Sequence, residues 1–222
     1  MKTKFKRNVM LGTIFIFVFA IWTMLIQIID VQAVGINNTN VGFATFNTWL
    51  HSLMGVNMTL YTITDWLGLV PIFIGMCFGF SGLLQLIKRK SLLKVDFDIR
   101  ILGVYYVIVI LCYLIFEMIP INYRPVFING FAEASYPSST TLLVLGVMPT
   151  LIFQADRRIK SDKIKKIICV ITSLFSIFMV IGRLISGVHW FTDIIGSILL
   201  STGLFFCYKG VVLWNSARNY KN

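Results

Sequence analysis

Arg183, His189 and Asp193 follow one another in the pattern Arg-x5-His-x3-Asp. A histidine and an aspartate four residues apart share one helix face. There the carboxylate of Asp193 can accept a hydrogen bond from one ring nitrogen of His189, fixing the tautomer and raising the basicity of the other nitrogen. That is the arrangement of an oriented nucleophile or base. A polar pair that only tethers two helix ends would use the same residues, and both readings stay open at this point. Upstream stand Asn122-Tyr123-Arg124-Pro125 and Tyr136-Pro137-Ser138-Ser139-Thr140. A proline followed by hydroxyl residues at the head of an apolar run reads as a helix start, whose free backbone N–H groups cradle an anion. Ser138 and Ser139 can cap that helix, worth about 1 kcal/mol each at most, and can also reach the anion. Arg124 and Arg183 can grip the same anion as planar forks. Two arginines, a helix start and a His–Asp pair suit binding a phosphoryl group and attacking it, a reaction that asks mainly for positioning and charge neutralisation. The spacing suggests no metal site, and no cofactor is expected.

Such a constellation needs a scaffold, and the composition says of what kind. The 222-residue chain is 57% hydrophobic and only 13% charged, against about 25% charged in ordinary soluble domains. That excludes a typical cytosolic enzyme, a disordered chain and a small secreted disulfide scaffold. A spanning helix needs about 20 mostly apolar residues. Six segments qualify: Val9–Ile29, Trp66–Ile87, Ile101–Ile121, Ser138–Gln154, Ile164–Leu184 and Trp190–Leu213. The fold class is therefore all-α: a polytopic membrane protein forming one domain over residues 1–222. The first segment is longer than a signal-peptide core of roughly 7–15 residues and is read as a retained anchor. Pro71 and Pro149 predict kinks in the second and fourth spans. Phe43, Phe46, Leu50 and Leu53 recur at helical spacing and predict an interfacial helix between spans one and two. Cys77, Cys112, Cys169 and Cys207 each sit in an apolar run and read as packing thiols.

The net charge of +11 has a topological cause. Every lysine and arginine except Arg124 and Arg183 falls on one side of a six-span weave. The positive-inside rule makes that side cytoplasmic, with both termini inside. No aromatic-interleaved basic surface suggests nucleic acid; the expected partners are the bilayer and a phosphorylated lipid. Arg124, Arg183, His51, His189, Asp30, Asp65, Glu117, Glu133 and Asp193 then lie towards the outer side. Few charges concentrated there mark those stretches as candidates for chemistry.

With these residues in place, the chain resembles the type 2 phosphatidic acid phosphatase superfamily, which includes the vanadium haloperoxidases. That family carries Lys-x6-Arg-Pro, Pro-Ser-Gly-His and Ser-Arg-x5-His-x3-Asp in order. Here the third motif is present with Gly182 for its serine, Arg124-Pro125 ends the first, and Pro137-Ser138-Ser139-Thr140 stands where the second belongs. The resemblance covers spans three to six. It implies a metal-independent phosphatase in which His189 is the nucleophile and forms a phosphohistidine, Asp193 orients it, and Arg124, Arg183, Ser138, Ser139 and Thr140 surround the phosphate. It further implies a site facing the outer leaflet; separately, the absence of organelle signals and the minimal bundle fit a plasma membrane.

Two positions depart from the family. Glu117 replaces the lysine of the first motif, and Thr140 replaces the histidine of the second. In the family that histidine protonates the leaving group, help typically worth about 10²–10⁴-fold. A threonine hydroxyl cannot act as an acid near neutrality. A monoester lipid leaves as an alkoxide and needs the proton; a lipid diphosphate leaves as a lipid monophosphate and needs it far less. The expectation is a lipid phosphatase favouring polyprenyl diphosphate, with phosphatidic acid and phosphatidylglycerophosphate as other candidate substrates. A lipid phosphotransferase and a non-catalytic binder or carrier of phosphorylated lipids remain alternatives. His51, on the interfacial segment, is a further candidate for the missing acid.

Overall fold

The computed structural model describes residues 2–128 and 130–219; Lys221, one of the cations counted above, lies outside them. The helices are α1 (Lys2–Ile28), α2 (Ala44–Met54), α3 (Met58–Leu67), α4 (Leu69–Arg89), α5 (Phe97–Met118), α6 (Ser139–Arg158), α7 (Asp162–Ile185) and α8 (Phe191–Asn219). Among the described residues, six helical segments are long and apolar enough to cross a membrane, α3 and α4 together making one of them. This is the expected multi-pass, all-α architecture.

The second span starts at Met58, well before the expected Trp66. Its first two turns carry Thr62, Thr64 and Asp65, which lower the apolar signal. Of these, Thr64 is buried where α3 packs against α7. The break between α3 and α4 falls at Leu67–Gly68. Pro71 has no N–H to offer the carbonyl of Leu67, so the interruption sits one turn before the proline itself. α6, by contrast, runs unbroken through Pro149. The Tyr105 hydroxyl donates to the Gly146 carbonyl at 2.7 Å and so supplies a bond in the loosened turn.

α6 is the central helix: 61% of its apolar window is buried, against 11–44% in the other spans. α1 and α8 pack closely, for a Cβ on Gly203 would stand only 2.8 Å from Ile16 Cγ1. Near its far end α1 also reaches the chemistry-bearing loops. Trp22 Nε1 donates to the Thr192 carbonyl at 3.1 Å, and the Thr23 hydroxyl is 2.7 Å from that of Tyr136. The expected short helix between spans one and two is α2, with Phe46, Trp49 and Leu53 exposed and Asn47 buried.

At the basic end, acidic residues heading α5 clasp the last turns of α4 and α6. Arg89 pairs with Asp96 at 2.7 Å and Arg158 with Asp98 at 2.8 Å. These pairs bring three helix ends into register and leave the other end of the bundle to the motif residues.

Candidate active site

Three loops and one helix meet at that opposite end. The α7–α8 turn supplies His189. Gly187 there has φ +69°, a conformation costly for any residue with a Cβ. A Cβ on Gly187 would also stand 2.1 Å from the Gly55 carbonyl oxygen. The α2–α3 connection thus packs hard on this turn, and Asn57 N donates to the Ser186 carbonyl at 3.0 Å. Between α5 and α6 the chain folds back on itself: Arg124 N donates to Glu133 O at 3.0 Å and Ser135 N to Asn122 O at 2.9 Å. This pairing places Arg124, Asn122 and Ser135 side by side over the head of α8.

His189 and Asp193 do share a face, but the expected direct hydrogen bond between them is not present. Nδ1 lies 3.7 Å from Asp193 Oδ2. Ser135 takes the intermediate place: its hydroxyl donates to Asp193 Oδ2, and its oxygen is 3.4 Å from His189 Nδ1. Asp193 also accepts from Trp190 N at 2.8 Å and from Asn122 Nδ2 at 3.3 Å. A fully buried carboxylate needs these donors to offset its lost hydration. Because Ser135 spends its proton on Asp193, its oxygen is free to accept from Nδ1–H. That assigns the tautomer and leaves the Nε2 lone pair outward, 3.4 Å from Arg183 Nη2. Burial first, then the positive charges of Arg124 and Arg183, hold the His189 pKa well below its usual range. The imidazole is neutral and nucleophilic.

Arg183 and Arg124 are 1% and 7% exposed. Tyr61 of α3 lies under both, 4.8 Å and 5.9 Å from ring centroid to guanidinium carbon. Glu133 Oε2 stands 3.1 Å from Arg124 Nε but not in hydrogen-bonding alignment. Among the described residues, Nε and Nη1 of Arg124 and Nε of Arg183 have no hydrogen-bond partner. Leaving one such donor buried and unpaired costs about 1–3 kcal/mol. Guanidinium donors of this kind suit an anion with several acceptor oxygens.

The remaining sequence candidates divide. Ser138 is wholly buried, and its hydroxyl donates to Thr141 Oγ1 at 3.1 Å instead of capping α6. Ser139 and Thr140 are part-exposed and border a groove of about 680 Å³ between α4, α5 and α6. Glu117 faces a separate small recess with Tyr113, Phe116 and Tyr136, and the carboxylate beside Arg124 is that of Glu133. His51 Nε2 sits 3.0 Å from the Gly187 carbonyl, so the ring braces the turn. Sequence reasoning missed Ser135 and Tyr61 as neighbours of the site; it named Asn122 and Asp65 on the outer side without giving either a role there. Among the described residues, no three or more His, Cys, Asp or Glu side chains gather as a metal site.

The model of the PAP2 superfamily matches residues 101–217, over half of the chain. Among solved structures, the chain is similar to a transmembrane PAP2 type phosphatidylglycerolphosphate phosphatase from Bacillus subtilis. The two are 21% identical, the match covers 76% of this chain and 92% of that one, and the TM-score is 0.48. No curated protein matches.

Proposed function

The chain belongs to the PAP2 superfamily, and from that premise we propose that it is an integral membrane lipid phosphatase working through a phosphohistidine. The observation that carries this reading is a neutral, oriented imidazole whose Nε2 lies 3.4 Å from the buried Arg183 guanidinium, beside a second buried arginine, Arg124, both keeping N–H groups without hydrogen-bond partners among the described residues.

In the first step Nε2 of His189 attacks the terminal phosphorus. The N–P bond forms, the bond from phosphorus to the leaving oxygen breaks, and that oxygen departs with the electron pair. Arg124 and Arg183 hold the non-bridging oxygens as charge develops on them. Ser135 and Asp193 keep Nδ1–H anchored while the ring gains positive character. In the second step water takes the phosphoryl group from Nε2 and restores the neutral ring. The apolar groove beside the arginines, with Leu69, Ile72, Val109, Ile110, Leu143 and Val147 in its walls, suits the hydrocarbon of a lipid. A site facing the exterior follows from the distribution of cations.

Thr140, which borders the groove, stands where the family's motif has the acid that protonates the leaving group, which favours a substrate whose leaving group needs no proton. Polyprenyl diphosphate fits this requirement; phosphatidic acid and phosphatidylglycerophosphate fit it less well. A lipid-phosphate binder would share the arginines but has no use for a serine-tethered imidazole. Phosphate release from a panel of lipid mono- and diphosphates, with His189→Ala as control, tests the reading. Release from diphosphates that the variant abolishes supports it; tight binding with no release rejects it.

A further inference from the structure

Resting on that reading, we infer that Asp65 is the base that activates water for hydrolysis of the phosphohistidine. One guanidinium joins the two residues: Arg183 Nη1 is 3.6 Å from Asp65 Oδ1, and Nη2 is 3.4 Å from His189 Nε2. Asp65 therefore stands one guanidinium's width from the phosphorylated nitrogen. Its side chain is 57% exposed and lines the same groove as Ser139 and Thr140. A charged residue placed well inside a membrane-crossing segment is costly and requires a reason. The position is also fixed. A Cβ on Gly182 would stand 2.8 Å from Thr64 Cγ2, so α3 lies directly on the last turns of α7. Thr64 Oγ1 is a further 3.5 Å neighbour of Arg183 Nη1. Asp65 precedes the family-matched segment, and α3 thus brings in a carboxylate from outside it.

The chemistry divides accordingly. An anhydride substrate releases its lipid phosphate without an acid, so Thr140 is no handicap in the first step. The second step needs a group that removes a proton from water. The Asp65 side chain, held beside Arg183 at 3.6 Å, offers carboxylate oxygens to that water. The water oxygen forms the new bond to phosphorus, and the P–Nε2 bond breaks with its electron pair returning to the ring. The water proton passes to Asp65 and from there to solvent.

The test is phosphoenzyme kinetics with the full-length protein in detergent and a polyprenyl diphosphate radiolabelled in its terminal phosphate. In Asp65→Asn, labelling of His189 should proceed while its decay slows. A burst of lipid monophosphate should then be followed by turnover reduced about 100-fold, within the range typical of a lost base. Asp65→Glu should recover part of the loss. Hydroxylamine, a neutral nucleophile that needs no base before attack, should discharge the labelled variant. Parallel loss of burst and steady state would overturn the inference and make Asp65 a positioning residue for Arg183; unchanged turnover would overturn it outright. If the unmodified protein neither labels His189 nor releases phosphate, the phosphatase reading fails first, and this inference fails with it.

Discussion

Ser135 stands between His189 and Asp193, donating its hydroxyl to the carboxylate while its oxygen lies 3.4 Å from the ring nitrogen Nδ1. The His–Asp couple is thus a three-member relay, and one member comes from a different loop. The α5–α6 segment consequently fixes both Arg124 and the orientation of the His189 ring.

Ser135→Ala should break that relay. Nδ1–H loses its acceptor and Asp193 loses one of its donors inside a buried site. The expected result is a fall in kcat of about 10- to 100-fold with KM little changed, since the interaction matters most as the ring gains charge. Stability should drop by about 1–3 kcal/mol. Steady-state kinetics and thermal unfolding would check both.

The two arginines should separate in kinetics. Arg124→Lys keeps the charge but loses the fork and should raise KM about 10-fold. Arg183→Lys removes the group that bridges the nucleophile and Asp65, and should lower kcat as well. Competition by inorganic phosphate should weaken in both. Equal kinetics for the variants and the unmodified protein would contradict shared phosphate binding.

Replacing Thr140 with histidine tests the leaving-group argument. Thr140→His should raise turnover of phosphatidic acid by up to about 100-fold and change diphosphate turnover little. Parallel changes on both substrates would remove the basis for a diphosphate preference.

The pH dependence follows from His189. Its pKa is lowered by folding, so below the unfolded value of about 6.5 the unfolded chain binds a proton that the folded chain refuses. The His189 contribution to stability therefore rises with pH up to that value and falls on acidification, because proton uptake by this ring favours unfolding. Unfolding measured at pH 5 and pH 7 should show the loss, and His189→Asn should reduce it. Phosphohistidine formation should persist below pH 6.5 because the ring stays neutral.

The spans were legible because each is a long apolar run, and their common basic ends follow from the alternation of the charges. The start of the second span was not. Tyr61, Thr64 and Asp65 look like a loop when only hydropathy is considered, yet they form a helix whose Thr64 is buried against α7. His189, Asp193, Arg124 and Arg183 were legible through fixed spacing and resemblance, and the structure brings them together. Ser135 was not, because no periodicity links a loop serine to a helix head more than fifty residues away. Ser138 illustrates the reverse case: its type and place suggested a phosphate donor or a cap, yet burial turns its hydroxyl to Thr141.

The close seam between α1 and α8 extends beyond simple packing. Through Trp22 on Thr192 and Thr23 on Tyr136, the helix most distant in sequence from the reactive motifs leans on the shoulders of both loops that carry them. α1 is therefore a buttress as much as an anchor, and trimming it from the front would be felt at the imidazole.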